Sequence, residues 1–230
     1  MKEQETTPSQ SRSLRFCALC AYDGTDFSGW QSQPGGNTIQ DIIQKRLSTL
    51  METPVSIHGS GRTDAGVHAL GQVFHFDAPW TYGADKLERA LRSGLPESIQ
   101  IQRIKQVHPD FHARFSAVGK TYRYQFKAGR ANPFETRYTW SLRRQLDGER
   151  MKQLAGIWQG RHDFRHFRAL RGDEPENHPD FAVRTIQSVA LRQRGKYFQF
   201  DITGEGFLYK MVRCLVGALV EHGLGKLDAS

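Results

Sequence analysis

Gly59-Ser60-Gly61-Arg62-Thr63-Asp64-Ala65-Gly66-Val67-His68 separates two stretches with strand patterning, Val55–His58 and Gly71–Asp77. A connection of this kind ties two strands together and presents its own residues at the end of a sheet. Glycines at 59, 61 and 66 let the backbone turn sharply and let another group come close to it. Among them sit one carboxylate, Asp64, and, two residues earlier, Arg62. Two readings fit this spacing: a glycine-rich hairpin turn with a local ion pair, or a loop that carries a reactive carboxylate.

The flanking pattern is mixed α and β. Leu14–Tyr22 reads as a strand, and Asp23-Gly24 and Pro34-Gly35-Gly36-Asn37 break the chain after it. Thr38–Met51 has helical spacing, with Ile39, Ile42, Ile43, Leu47, Leu50 and Met51 on one face and Asn37 or Thr38 as N-cap. Ala84–Arg92 is a helix, Ser98–Val107 a strand and Ser116–Ala128 a long strand with Lys120, Tyr122, Tyr124 and Phe126 on one face. Leu146–Trp158 is a helix, Val183–Arg194 and Lys196–Thr203 form a hairpin, and Phe207–His222 is a final helix. On that helix Arg213 falls about 150° from the centre of the apolar stripe, at about 100° per residue. It is therefore either a solvated surface arginine or one that looks into a cleft, and Gly217 leaves the surface beside it open.

Strand, turn, helix and strand in 14–77 are echoed by strands and a helix in 116–222, with no short repeat that would mark a solenoid. The expected organisation is a disordered tail at 1–13, an N-terminal half at 14–110 and a C-terminal half at 111–230, both sharing one continuous sheet. Arg171–Asp180 reads as a mobile loop.

Net charge is +8 over 230 residues, which fits a polyanionic partner if the charge is concentrated. It is: Phe111–Arg150 holds nine Lys/Arg against three Asp/Glu, and Val183–Lys196 holds four against none. Aromatic residues are interleaved with the first cluster, a pattern suited to single-stranded nucleic acid. The longest apolar run, Cys214–Val220, is far too short to cross a bilayer. Residues 1–13 lack a signal-peptide core, so a cytoplasmic protein is expected. Cys17 and Cys20 form a C-x-x-C inside a strand, where residues three apart point to opposite faces; they read as core thiols. The i,i+4 histidine pairs His108/His112 and His162/His166 lack helical continuity, and no metal is expected.

Several segments, in order over about residues 14–225, together resemble the tRNA pseudouridine synthases of the TruA family. They are Tyr22-Asp23-Gly24 with Phe27-Ser28-Gly29-Trp30-Gln31, Gly61–His68, Phe111–Ala117 with Lys120–Tyr124, Gly160–Phe164, and Phe207–Arg213 with Val216-Gly217. The resemblance implies an α+β pseudouridine synthase fold: a mixed, mainly antiparallel sheet in two pseudo-symmetric halves, with flanking helices and a central basic cleft. It implies isomerisation of uridine at positions 38–40 of the tRNA anticodon arm, by a homodimer without cofactor or metal. Asp64 would be the nucleophile, Tyr122 the ring against the target base, and Arg213 the partner of Asp64. Arg62, Arg114, Lys120 and His68 would join Tyr122 in holding RNA. Lys120 stands where arginine is more usual, which keeps the charge but loses a bidentate phosphate contact. Family members usually continue past the position of Ser230 through a helix and a strand with a G-L-x-L-like segment, on which sheet completion and dimer contacts are expected to depend. The alternative is a shortened, non-catalytic synthase-like module that binds tRNA.

The chemistry is self-consistent. A carboxylate can attack ribose C1′ or abstract its 2′ proton while uracil leaves as an anion. An Asp near its reference pKa of about 3.9 is already ionised at neutral pH.

Overall fold

The computed structural model describes residues 13–170 and 180–227. The tail expected at 1–13 and the loop expected at Arg171–Asp180 therefore fall almost wholly outside the described residues. The fold is α+β, with mixed, mainly antiparallel sheets, and the chain divides into two units after Ala117.

In the first unit, β1 (Leu14–Tyr22) buries every second residue, Phe16, Ala18, Cys20 and Tyr22, as a two-residue period requires. α1 (Ile39–Met51) begins at the N-cap Thr38, whose side chain accepts from the Asp41 amide, and buries Ile39, Ile43 and Leu47 against that face. β2 (Ile57–Gly59) and β3 (Ala69–Ala78) form an antiparallel pair joined by the Asp64 loop. α2 (Ala84–Arg92) adds Leu87 and Leu91 to the core, and β4 (Ile99–Gln106) closes the order β2-β3-β1-β4. The pairing register shifts between Cys20 and Tyr22 against β3 and between Leu19 and Cys20 against β4, as a β-bulge does. Burial pushes the Cys20 thiol up to about 12 and also raises Cys17, so both behave as core thiols with little thiolate character.

The opposite face of this sheet is covered by the chain after β4. Asp77 holds Arg15 through Nε (2.8 Å) and Nη2 (2.7 Å). Arg15 Nη1 donates to the carbonyls of Pro109 and, at 3.1 Å, Phe111. Ala113 is buried, and its amide donates to His75 Nδ1 at 3.2 Å. These bonds tie Phe111–Ala117 to the first unit, which runs to Ala117.

His75 is buried, with two imidazoles and an arginine close by. His58 and His112 lie 5.0 and 4.6 Å away, centroid to centroid, with Arg15 on the neighbouring strand β1 and Asp77 two residues further along β3. Burial first, then the charges of His112, His58 and Arg15, lowers its pKa to about 4. The unfolded chain binds this proton near pH 6.5 and the folded chain only near pH 4, so the contribution is full above pH 6.5 and declines as pH falls towards 4. Urea titrations at pH 7.5 and 4.5 should differ by on the order of 2 kcal/mol from this group, and His75→Gln should flatten that part of the slope. An equal slope in the variant would remove His75 as its origin.

The second unit starts with β5 (Lys120–Ala128). A short strand not expected from the sequence, β6 (Trp140–Leu142), runs parallel to it. α3 (Gly148–Ile157), capped by Asp147, precedes a second unexpected strand, β7 (Gly160–Asp163). β8 (Val183–Arg194) and β9 (Tyr197–Gly204) complete the order β6-β5-β9-β8-β7. Backbone pairing makes a four-stranded sheet in the first unit and a five-stranded sheet in the second among the described residues.

The last helix, α4 (Met211–Gly223), starts four residues later than expected. Lys210 at its N-cap has φ 56°, a left-handed conformation that costs a non-glycine residue stability and stops the helix from extending back over Phe207–Tyr209. Met211, Leu215, Val216, Leu219 and Val220 pack with Phe126, Phe198, Phe200 and Ile202 from the sheet.

Candidate active site

The Asp64 loop is clamped to the Tyr22–Gln31 segment. The Trp30 amide donates to the Thr63 carbonyl (3.1 Å), and the Gly66 amide to Phe27 (3.3 Å). The hydroxyls of Tyr22 and Thr63 share a 2.9 Å bond. Arg62 Nε donates to the Gln31 side chain at 3.1 Å. The Gly24 amide donates to His68 Nδ1 (3.1 Å), and that nitrogen also lies 2.9 Å from Asp23 Oδ1. On the strand side Gln72, a buried amide, donates to the Gly61 carbonyl (2.7 Å) and accepts from the Ser60 hydroxyl (2.8 Å).

Glycines set how close the two segments come. A Cβ on Gly24 would stand 2.0 Å from the Val67 carbonyl oxygen. One on Gly29, whose φ is +92°, would stand 2.5 Å from the Thr63 carbonyl oxygen and 3.1 Å from the Asp64 carbonyl carbon. The loop is therefore fixed on both sides of Asp64, and the Asp64 side chain is only half-buried. A carboxylate held on a rigid backbone at partial exposure can meet a reactant without the loop first having to order.

In the same unit Arg114 is exposed, on the segment that covers the second face of the sheet. In the second unit Tyr122 lies on β5 opposite Ile202 and meets Phe207 edge to face, with centroids 5.0 Å apart and an interplanar angle of 83°. Both rings pack against the cluster that holds α4. Arg213 is exposed in the first turn of α4, and a Cβ on Gly217, one turn on, would meet nothing within 4 Å. Lys120 is half-buried at the start of β5, opposite Gly204. The structure thus groups Arg62, Asp64 and His68 on one loop, and Tyr122 with the entry to α4 on one sheet face. Sequence reasoning missed Gln31, Gln72 and the Tyr22–Thr63 bond as supports. Only the buried position of Gln72 on a strand could have hinted at one of them.

Comparison with known proteins decides the family. The tRNA pseudouridine synthase family matches residues 18–116 and 155–230. This chain belongs to that family. Pseudouridine synthases are isomerases, and the chain carries that assignment. A tRNA pseudouridine synthase A of Akkermansia muciniphila is 49% identical over 218 residues, covering 93% of this chain and 82% of that protein. Proteins of the same name from Limosilactobacillus fermentum and Halalkalibacterium halodurans are 41% and 42% identical, covering 92% and 91% of this chain and 83% and 78% of theirs. The two family-matched stretches contain Arg62, Asp64, His68, Arg114 and Arg213, while Lys120 and Tyr122 fall between them. Among the described residues, no helix is long and apolar enough to cross a membrane.

Proposed function

We propose that this chain converts uridine to pseudouridine at positions 38–40 of the tRNA anticodon stem-loop, in the cytoplasm and as a homodimer. Asp64 is the nucleophile: its carboxylate attacks ribose C1′ or abstracts the 2′ proton, the C1′–N1 bond breaks, and uracil turns and rejoins C1′ through C5, with N1 taking up a proton and the C5 proton passing to solvent. Tyr122 packs on the base while it is detached. Arg213 pairs with Asp64 and orients its carboxylate. Arg62, His68, Arg114 and Lys120 hold the RNA in a basic cleft, with the target base flipped at a cost on the order of a few kcal/mol. Phosphate contacts offset that cost and make binding strongly salt-dependent. No cofactor or metal enters these steps.

The observation that carries the reading is the fixing of Asp64 in a family member: hydrogen bonds and glycine contacts on both sides hold a loop whose only carboxylate is half-exposed. A connection whose sole task is to join β2 to β3 needs no such frame. Forming the C1′–C5 bond expels the hydrogen on uracil C5, so tRNA tritiated there should release tritium to solvent when mixed with the protein, with the RNA chain intact. Tight binding without release would favour the alternative of a non-catalytic tRNA-binding module.

A further inference from the structure

Phe115 is 77% exposed although it belongs to one of the most heavily supported segments of the first unit. Its ring lies against the His112 imidazole, with centroids 4.3 Å apart and planes 31° apart. His112 Nδ1 accepts from the amides of Arg114 (3.2 Å) and Phe115 (3.4 Å). The His112 amide donates to the Ser116 hydroxyl (3.2 Å), and the Ser116 amide to the His112 carbonyl (2.8 Å). Beneath it His75 receives the Ala113 amide, and Arg15 grips the chain at Pro109 and Phe111. The Arg114 guanidinium stands 5.9 Å from the centre of the Phe115 ring.

Such a frame fixes where one apolar ring meets water. An isolated exposed phenylalanine needs no explanation, but this one rests against a tilted imidazole 4.3 Å away, has an arginine at its side and is mostly open to solvent. That is the composition of a stacking platform for single-stranded nucleic acid: a π-face for a base and a cation for the adjoining phosphate.

We infer that Phe115 stacks on an unpaired nucleobase of the RNA substrate, with Arg114 on the neighbouring phosphate, as a positioning residue for the isomerisation. The inference rests on the reading of this chain as acting on tRNA. The base that stacks here is a loop nucleotide beside the target, and its capture keeps the loop open while the target uridine is turned out.

The test uses the full chain, unmodified tRNA and an anticodon stem-loop RNA with 2-aminopurine at successive loop positions. With wild-type protein, one loop position should lose fluorescence on binding, the signature of stacking. Phe115→Ala should abolish that quench and weaken RNA binding by about 5- to 150-fold, the range of one stacked base. KM should rise and kcat change little, and the melting temperature should stay within a degree or two, since the ring is mostly exposed. Phe115→Trp should restore quench and affinity, while Phe115→Leu should not. Equal affinity and quench in Phe115→Ala, on an otherwise active enzyme, would overturn the inference alone. So would a change of oligomeric state in Phe115→Ala as the source of its defect, because the ring would then contact a second copy. Wild-type protein that neither binds nor turns over tRNA would instead overturn the functional reading beneath it.

Discussion

Asp64→Asn should abolish tritium release from C5-labelled tRNA, with turnover down roughly 10⁴-fold or more, as for the loss of a nucleophile that acts within a unit. The amide is nearly isosteric and keeps the loop's backbone bonds, Trp30 to Thr63 and Gly66 to Phe27, untouched. The fold and melting temperature should therefore hold. Binding of tRNA should also hold, because Coulombic attraction comes from the clusters at Phe111–Arg150 and Val183–Lys196. Asparagine can neither attack C1′ nor take up a 2′ proton. The pattern of intact binding without release separates loss of chemistry from loss of substrate. Measurable release above the 10⁴-fold limit would take the nucleophile's role away from Asp64.

The second large effect comes from a residue with no chemistry. Gly29→Ala should reduce turnover by about 10²-fold, the order expected when a reacting group is moved by about an ångström. The new Cβ meets backbone, the Thr63 carbonyl oxygen at 2.5 Å, and the φ of +92° is itself strained for alanine. Neither can be relieved by rotating a side chain, so the Asp64 loop must shift. Stability should fall by about 1–3 kcal/mol from the strained backbone. Gly36→Ala is the matched control: φ is +67° and nothing lies within 4 Å of the added carbon. It should lose about 1–2 kcal/mol of stability and keep its turnover. If Gly29→Ala turned over like Gly36→Ala, the clamp on the Asp64 loop would have no part in catalysis.

The contrast between these two glycines shows what the sequence can and cannot convey. Both stand in a stretch that reads as irregular, and only the structure separates a glycine against Thr63 from one against solvent. Local periodicity performed well where burial alone decides the outcome. β1 runs from Leu14 to Tyr22 as expected, and α1 starts at its N-cap Thr38. It failed at α4, where Phe207, Leu208, Met211 and Val212 continue a helical stripe but Lys210 takes a left-handed φ. Apolar spacing does not encode one residue's dihedral. β6 and β7, of three and four residues, are too short for a two-residue period to register, and pairing with neighbouring strands makes them. Phe111–Ala117 goes with the first unit because Arg15, on β1, captures the carbonyls of Pro109 and Phe111, a link no local pattern shows.

Of the candidate site, the spacing of glycine, arginine and aspartate in the loop left a plain ion-paired turn and a reactive loop both open. Tyr122 and Arg213 became candidates only through resemblance, since a ring on a strand and an arginine off a helical stripe have ordinary structural explanations. The supports, Tyr22 on Thr63, Gln31 on Arg62 and Gln72 on Gly61, join residues that are remote in the chain. No local pattern marks them.

Mapping pseudouridine in an unmodified tRNA after incubation with the purified chain tests the central claim most directly. Fragment mass spectrometry after a pseudouridine-specific chemical tag reads position and conversion together. The account predicts pseudouridine at positions 38–40, at no other uridine, with the untagged RNA unchanged in mass. Bound but unmodified RNA, or pseudouridine placed outside the anticodon arm, would contradict it.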